Sequence, residues 1–208
     1  MIVLTDKIEF PDVSLATRDG LLAIGGDLSV ERLLLAYKSG IFPWFEIEQP
    51  ILWWSPDPRF VLYPEKLKIS KSMQQFLKKT EFRVTTNRAF EEVIKNCSKI
   101  KRSGQQGTWI TNTMIKAYCN LHELGYAKSF EVWDKDNLIG GLYGIDFGNQ
   151  VFCGESMFSK KSNASKLAFI KLIEQSNYKL IDCQVHTKHL ESLGAEEIPR
   201  ENFLKIIN

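Results

Sequence analysis

SFEVWDKDNLIGGLYGIDFGNQVFCGESMFS, residues 129–159, decides the fold class. Three β-rich runs (SFEVWD, NLIGGLYGID and NQVFCGESMFS) are separated only by Lys135-Asp136 and Gly148-Asn149. Both pairs suit tight turns, so three consecutive hairpin-connected strands are predicted. Gly140, Gly141 and Gly144 fall inside the middle run, not at a strand-to-helix turn. That placement argues against a Rossmann or P-loop nucleotide site. Further on, Asn163 opens a helix over ASKLAFIKLIEQS with Leu167, Ile170 and Ile173 on one side. KLIDCQV (179–185) then reads as a strand buried on both faces, because it is nearly all apolar.

Towards the N-terminus, Ser70 caps a short helix through Lys79 and EFRVTT (81–86) is a strand. Asn87 caps a helix ending near Asn96, and Thr111 caps another that Gly125 stops. KHLESLG (188–194) is a last helical piece. From Ser70 on, the order is α-β-α-α-β-β-β-α-β-α, which predicts an α+β fold: a mixed sheet with helices packed on its faces. Ahead of it, GGDLSVERLLLAYKSGIFPWF (25–45) is a helix capped by Asp27 or Ser29 and stopped by Gly40. In ILWWSPDPR (51–59), Pro56 and Pro58 bracket an extended corner. The expected division is a small N-terminal domain, 1–58, and a larger domain, 59–208.

With 44% apolar and 25% charged residues in 208, the chain can bury a core, and whole-chain disorder is excluded. Four cysteines (97, 119, 153 and 183) stand far apart with no C-x-x-C pair, as expected of reduced thiols in a cytosol. MIVLTDKIEFPDVS carries charges where a signal peptide needs an apolar run, and no stretch nears the ~18 apolar residues of a membrane span. A cytoplasmic protein is expected. Net charge is only +2, yet residues 66–102 hold eleven basic side chains against three acidic ones. Such a block can anchor a phosphate backbone, or be an ordinary solvated pair of helix faces.

Chemistry is expected where polar residues interrupt apolar strands. By period two, Asp182 and Gln184 share one face of KLIDCQV and Cys183 takes the other. Burying them unpaired would cost roughly 1–3 kcal/mol per neutral group, so they satisfy a turn or form a site. Glu155 breaks FCGESMF in the same way, beside Gly154. A cleft with these three residues is acidic, suits a cationic group and holds no evident nucleophile. Neither G-x-S-x-G nor a Cys-His pairing can be read from the spacing. Direct transfer between two bound substrates is the expected chemistry. His122-Glu123 and the His186/His189 pair lack the partners of a metal motif, so no metal is expected. Trp44, Trp53, Trp54 and Trp109 flank loops, as satellite core or as stacking platforms for bases.

GLLAIGGDLS, AYKSGIFPWF, ILWWSPDPR, GTWIT, LHELG, SFEVW, LIGGLYG, FCGESMFS, NASK, LIDCQV and SLGAEEIPR occur in this order. Together, from about Gly20 to Arg200, they resemble the leucyl/phenylalanyl-tRNA–protein transferase family. The resemblance implies a small N-terminal domain followed by a GNAT-related fold, akin to the acetyl-CoA-dependent N-acyltransferases. It implies transfer of Leu or Phe from aminoacyl-tRNA to proteins beginning with Arg or Lys, marking them for degradation in the bacterial cytoplasm. No cofactor and no membrane partner is implied, and a monomer is expected. By the same resemblance, Asp182 and Gln184 hold the catalytic positions. Gln184 would accept a hydrogen bond from the attacking amine, Asp182 would orient and polarise it, and Glu155 would contact the acceptor. Trp44 and Trp109, with Tyr37 and Tyr118 nearby, match positions that hold the 3′-terminal adenosine. Leu142, Phe152, Leu172 and Ile181 match the pocket for the transferred side chain, which would also take Met. Lys71, Lys78 and Lys79 match a basic tRNA-binding helix. The chain departs from the family's pattern at Thr187, where an asparagine is expected, and at Gln74 and Gln75, which are basic elsewhere. The second departure either weakens the expected tRNA contact or moves it to Lys99, Lys101 and Arg102.

The residues suit that chemistry. An aminoacyl ester is already activated, so alignment of a neutral amine supplies up to ~7–11 kcal/mol of the barrier. An α-amine titrates near ~8, leaving a neutral fraction without a strong base. Two rivals stand beside this reading. An acetyl-CoA-dependent N-acetyltransferase needs a glycine-rich turn where this chain has SKKSNASK (159–166), and a non-catalytic RNA-binding module would use only the basic block and the tryptophans.

Overall fold

The computed structural model describes residues 2–100 and 109–208. The first 54 residues supply β1 (Ile2–Leu4), β2 (Leu21–Gly25), helix α1 (Val30–Lys38), β3 (Phe42–Pro43) and β4 (Leu52–Trp54). Their strands make a four-stranded sheet in the order β1-β2-β4-β3. Ser29 caps α1 by accepting from the Arg32 amide, and Gly40 takes the left-handed conformation (φ 71°) that ends it. Trp53 is fully buried and its indole donates to the Gly25 carbonyl, so this tryptophan is core.

The rest of the chain runs β5 (Arg59–Leu62), α2 (Lys71–Lys79), β6 (Arg83–Thr86), α3 (Phe90–Ser98), α4 (Asn112–Glu123), β7 (Ala127–Asp134), β8 (Asn137–Asp146) and β9 (Val151–Ser159). It continues through α5 (Ala164–Glu174), β10 (Leu180–Gln184), α6 (Lys188–Glu191), β11 (Glu196–Ile198) and α7 (Arg200–Ile207). Seven strands form one mixed sheet, β11-β5-β10-β9-β8-β7-β6, in which β9 and β10 are parallel and every other neighbour is antiparallel. The expected α+β class and the three-strand meander are present.

Helices cover both faces. On one, Val93 and Ile94 of α3, Met114 and Tyr118 of α4 and Phe203 of α7 join Leu33 and Trp53 in a single apolar cluster, which the small sheet shares. On the other, Leu167, Ala168 and Leu172 of α5 and Met73 of α2 pack on Phe130, Leu142, Phe152 and Ile181. Gly144 lies where β8 and β9 crowd: a Cβ there would stand 2.3 Å from the Cys153 carbonyl and 2.6 Å from the Phe152 ring.

Three features depart from expectation. Asn87 does not cap α3; it takes φ 58° and its side chain accepts from the Ser129 amide of β7. The α3 N-terminus is held instead by buried Glu131, which accepts from the Arg88 and Ala89 amides and from Ser129 and Thr85. A carboxylate reaching across from another strand leaves no local spacing to read. Finally, the short strands of the small sheet, β5 and β11 of the large one, and helix α7, which follows the piece expected to be the last helix, were not anticipated. These strands of two to five residues show little alternation and, β11 apart, are not set off by an α-helix on each side as β6 and β10 are.

Candidate active site

The site begins where two parallel strands part. β9 and β10 pair only over Leu180↔Val151, Ile181↔Phe152 and Asp182↔Cys153. At that level each strand is also irregular against its other neighbour. On β9 the register slips between Tyr143↔Ser156 and Gly144↔Gly154, leaving Glu155 as the extra residue. On β10 it slips between Asp182↔Val61 and Gln184↔Phe60, leaving Cys183 as the extra one. Gln184 carries the strain, with φ 64°, a conformation that costs an ordinary residue roughly 1–2 kcal/mol. Paired bulges re-aim side chains, and here they turn Glu155 and Gln184 towards each other across the gap.

Asp182 is completely buried and ion-paired. Arg59 donates to it twice, Nε to Oδ1 at 2.8 Å and a terminal nitrogen to Oδ2 at 2.7 Å. Oδ1 also accepts from the Gln184 amide at 2.9 Å, which holds the strained backbone in place. The guanidinium lies between the rings of Phe42 (4.7 Å) and Phe203 (4.6 Å) and reaches the Gly40 carbonyl. Desolvating such a pair is costly, and the fork geometry with its extra hydrogen bonds offsets that cost.

Glu155 is held differently. Its Oε1 accepts from Gln184 Nε2 at 2.7 Å and its Oε2 from the Tyr118 hydroxyl at 3.1 Å. Tyr118 in turn shares a 2.5 Å hydrogen bond with Tyr37. These partners are neutral, so burial dominates and raises the carboxyl from its ordinary 4.5 to about 7. The hydrogen bonds from the two tyrosines and Gln184 pull the other way, and the Asp182 charge adds to the rise. Burial also drives Tyr37, Tyr118, Cys153 and Cys183 upward, so both thiols stay protonated and are poor nucleophiles.

A cavity of about 430 Å³ opens on this cluster. Asp182, Gln184 and Glu155, with Ser156, Thr187 and His189, form its polar part, while Leu142, Phe152, Leu172 and Ile181 form an apolar wall with Trp44 and Trp109 alongside. Tyr37 and Tyr118, expected beside the tryptophans, stand behind Glu155 instead of on the wall. Lys71, Lys78 and Lys79 are exposed on α2, which packs by Met73 against the cluster containing Phe152 and Leu172. Lys99 is exposed; Lys101 and Arg102 lie outside the described residues. Thr187 lines the cavity mouth and caps α6 by accepting from the Leu190 amide.

Sequence reasoning missed Arg59. The signal was available: a buried aspartate requires a cation, and Arg59 is the charged residue opening the otherwise apolar run RFVL. Phe42 and Phe203 carried no such mark. Among the described residues, no group of three or more His, Cys, Asp or Glu side chains could hold a metal ion, and no helix is long and apolar enough to cross a membrane.

A carboxyl held by neutral donors beside a mostly apolar cavity, with inert thiols, is the equipment of an enzyme that binds an apolar group and works without a cysteine nucleophile. Comparison with known proteins is specific. Residues 61–208 match the family described as leucyl/phenylalanyl-tRNA protein transferase, and residues 26–57 match the family of its N-terminal domain. The leucyl/phenylalanyl-tRNA–protein transferase of Flavobacterium johnsoniae is 62% identical over 210 residues, covering 100% of this chain and 99% of that one. That of Flavobacterium psychrophilum is 59% identical with the same coverage. The chain belongs to the leucyl/phenylalanyl-tRNA–protein transferase family. Among solved structures, a GCN5-related N-acetyltransferase from Kribbella flavida overlaps 79% of this chain and 59% of its own at 9% identity, with a TM-score of 0.38. So loose an overlap supports no argument about kinship.

Proposed function

We propose that this protein transfers leucine or phenylalanine, and also methionine, from aminoacyl-tRNA to the N-terminus of an acceptor protein. One observation carries this: a cavity with an apolar wall and flanking tryptophans opens directly on the Gln184–Glu155 pair. An unbranched-at-Cβ side chain fits the Leu142, Phe152, Leu172 and Ile181 wall, and the terminal adenine stacks by Trp44 and Trp109. Gln184 gives its Nε2 to Glu155, so its Oε1 is available to accept from the incoming α-amine. Asp182 fixes the backbone of Gln184, and the ester is aminolysed without a covalent enzyme intermediate. The Glu155 carboxyl, where ionised, offers a contact to an acceptor beginning with Arg or Lys, and Lys71, Lys78 and Lys79 draw the tRNA phosphates. The protein would act as a cytoplasmic monomer, residues 59–208 carrying the chemistry and 1–58 the adenosine side of the cleft, and its products would be marked for degradation.

The acetyl-CoA alternative has less to stand on, because the turn between β9 and α5, Lys160–Asn163, contains no glycine to admit a pyrophosphate. A thermal-shift titration separates the two. A hydrolysis-resistant 3′-leucylamido-adenosine should raise the melting temperature and acetyl-CoA should not; the reverse result overturns the proposal.

A further inference from the structure

The two carboxyl groups of the site are built for different tasks. Both oxygens of Asp182 are engaged: Oδ1 by Arg59 and the Gln184 amide, Oδ2 by Arg59 again. Its charge is matched by an adjacent guanidinium, and the side chain is wholly buried. Glu155 lines the same cavity, yet the charged and titratable groups around it are arranged otherwise. Tyr118 reaches it from α4 and Gln184 from β10 as neutral donors, and Tyr37 of α1 stands behind, hydrogen-bonded to Tyr118. Tyr143 of β8 stands edge-on to Tyr118, Cys153 is two residues away on β9, Arg59 of β5 is committed to Asp182, and His189 of α6 lines the same cavity, its imidazole held towards the neutral form by burial. Among the described residues no cation pairs with Glu155.

This inference rests on the transfer reading above. We propose that Glu155 is the proton acceptor of the reaction, that Tyr118 and Tyr37 are positioning residues that orient and solvate its carboxylate, and that Asp182 is a positioning residue acting through Gln184. The ionised carboxylate takes one proton from the acceptor's α-ammonium. The freed amine attacks the ester carbonyl, forming the C–N bond. As the tetrahedral intermediate collapses, the C–O bond to the terminal ribose breaks and the second amine proton passes to that departing oxygen. The products are an amide, a tRNA with a free hydroxyl, and a protonated Glu155 that returns its proton to water. Both protons and both electron pairs are accounted for. A carboxyl poised near neutrality suits the first step.

Glu155→Gln tests this through the direction of its pH dependence. At pH 7 the variant should transfer about 100-fold more slowly than the parent. Its deficit should shrink as pH rises past the amine's pKa near ~8, where deprotonation no longer needs a base. A deficit that stays constant, or grows as pH rises, overturns the proposal; growth is what a purely attractive acidic contact would give. Retained binding of 3′-leucylamido-adenosine reports that the variant is folded. Should Glu155→Gln not fold, the parent enzyme decides alone. With saturating substrates its kcat should rise through about pH 7 and then level off, whereas a single rise at the amine's pKa overturns the assignment. Failure of the parent to transfer at any pH would instead remove the transfer reading, and this inference with it.

Discussion

Arg59 and Asp182, 123 positions apart in the chain, meet in a two-pronged hydrogen-bonded ion pair with no exposure to solvent. Through Asp182 Oδ1 the pair extends to the amide of Gln184, and through Phe42 and Phe203 it reaches the small sheet and the C-terminal helix. The backbone geometry at Gln184 therefore depends on the packing of β3, β5 and α7.

Removing one partner should be far worse than removing both. Asp182→Ala leaves a guanidinium buried without its counter-charge and should lower the unfolding free energy by about 3–5 kcal/mol. Arg59→Met combined with Asp182→Leu should lose much less. Urea denaturation of the single and double variants checks this, and a double variant as unstable as the single would contradict it.

Stability should respond to pH through Glu155. The fold holds this carboxyl at about 7, against 4.5 ordinarily, so folding favours its protonated form. The resulting penalty is absent below about 4.5, grows as pH rises from there and is complete above about 7. Glu155→Gln removes it while keeping an acceptor for Gln184. Relative to the parent, the variant should gain about 2 kcal/mol between pH 5 and pH 8, measured by chemical denaturation at each pH.

Backbone strain and chemistry at Gln184 can be separated. Its φ of 64° is natural to glycine and unfavourable for alanine. Gln184→Gly should be more stable than Gln184→Ala by about 1 kcal/mol, while both lose the carboxamide and fall to a similarly low transfer rate. Equal stabilities would mean that the left-handed conformation is not maintained in solution.

The apolar wall should set which side chain is moved. Leu172→Phe fills part of the cavity and should disfavour Phe relative to Leu, changing the ratio of their kcat/KM values by about 10-fold or more. An unaltered ratio would place the transferred side chain elsewhere.

On the exposed face of α2, Lys78→Ala with Lys79→Ala should weaken tRNA binding and flatten its salt dependence by about one to two units of slope. An unchanged slope would remove this helix from the tRNA footprint.

Much of this site was legible because polar residues in apolar strands announce themselves. Asp182, Gln184 and Glu155 stand out in LIDCQV and FCGESMF, but period-two alternation does not describe β10, where the bulge at Cys183 and the left-handed Gln184 set the side-chain directions. Their partners were less visible. Nothing local to Arg59 says that it will cross to Asp182, and nothing in α1 or α4 marks Tyr37 and Tyr118 as a pair, since each reads as one more apolar helix position. The same holds for Glu131, whose capping of α3 depends on β7 lying against β6. The meander and the long helices follow from local periodicity and caps. The small sheet does not, because its strands are short and joined by turns that only tertiary packing explains.

Transfer itself is the most direct test. Purified protein, tRNA charged with radiolabelled leucine and a short peptide beginning with Arg should yield labelled peptide, and the same peptide with an acetylated N-terminus should yield none. Absence of label in the free-amine peptide, with the protein folded and the tRNA still charged, would contradict the account.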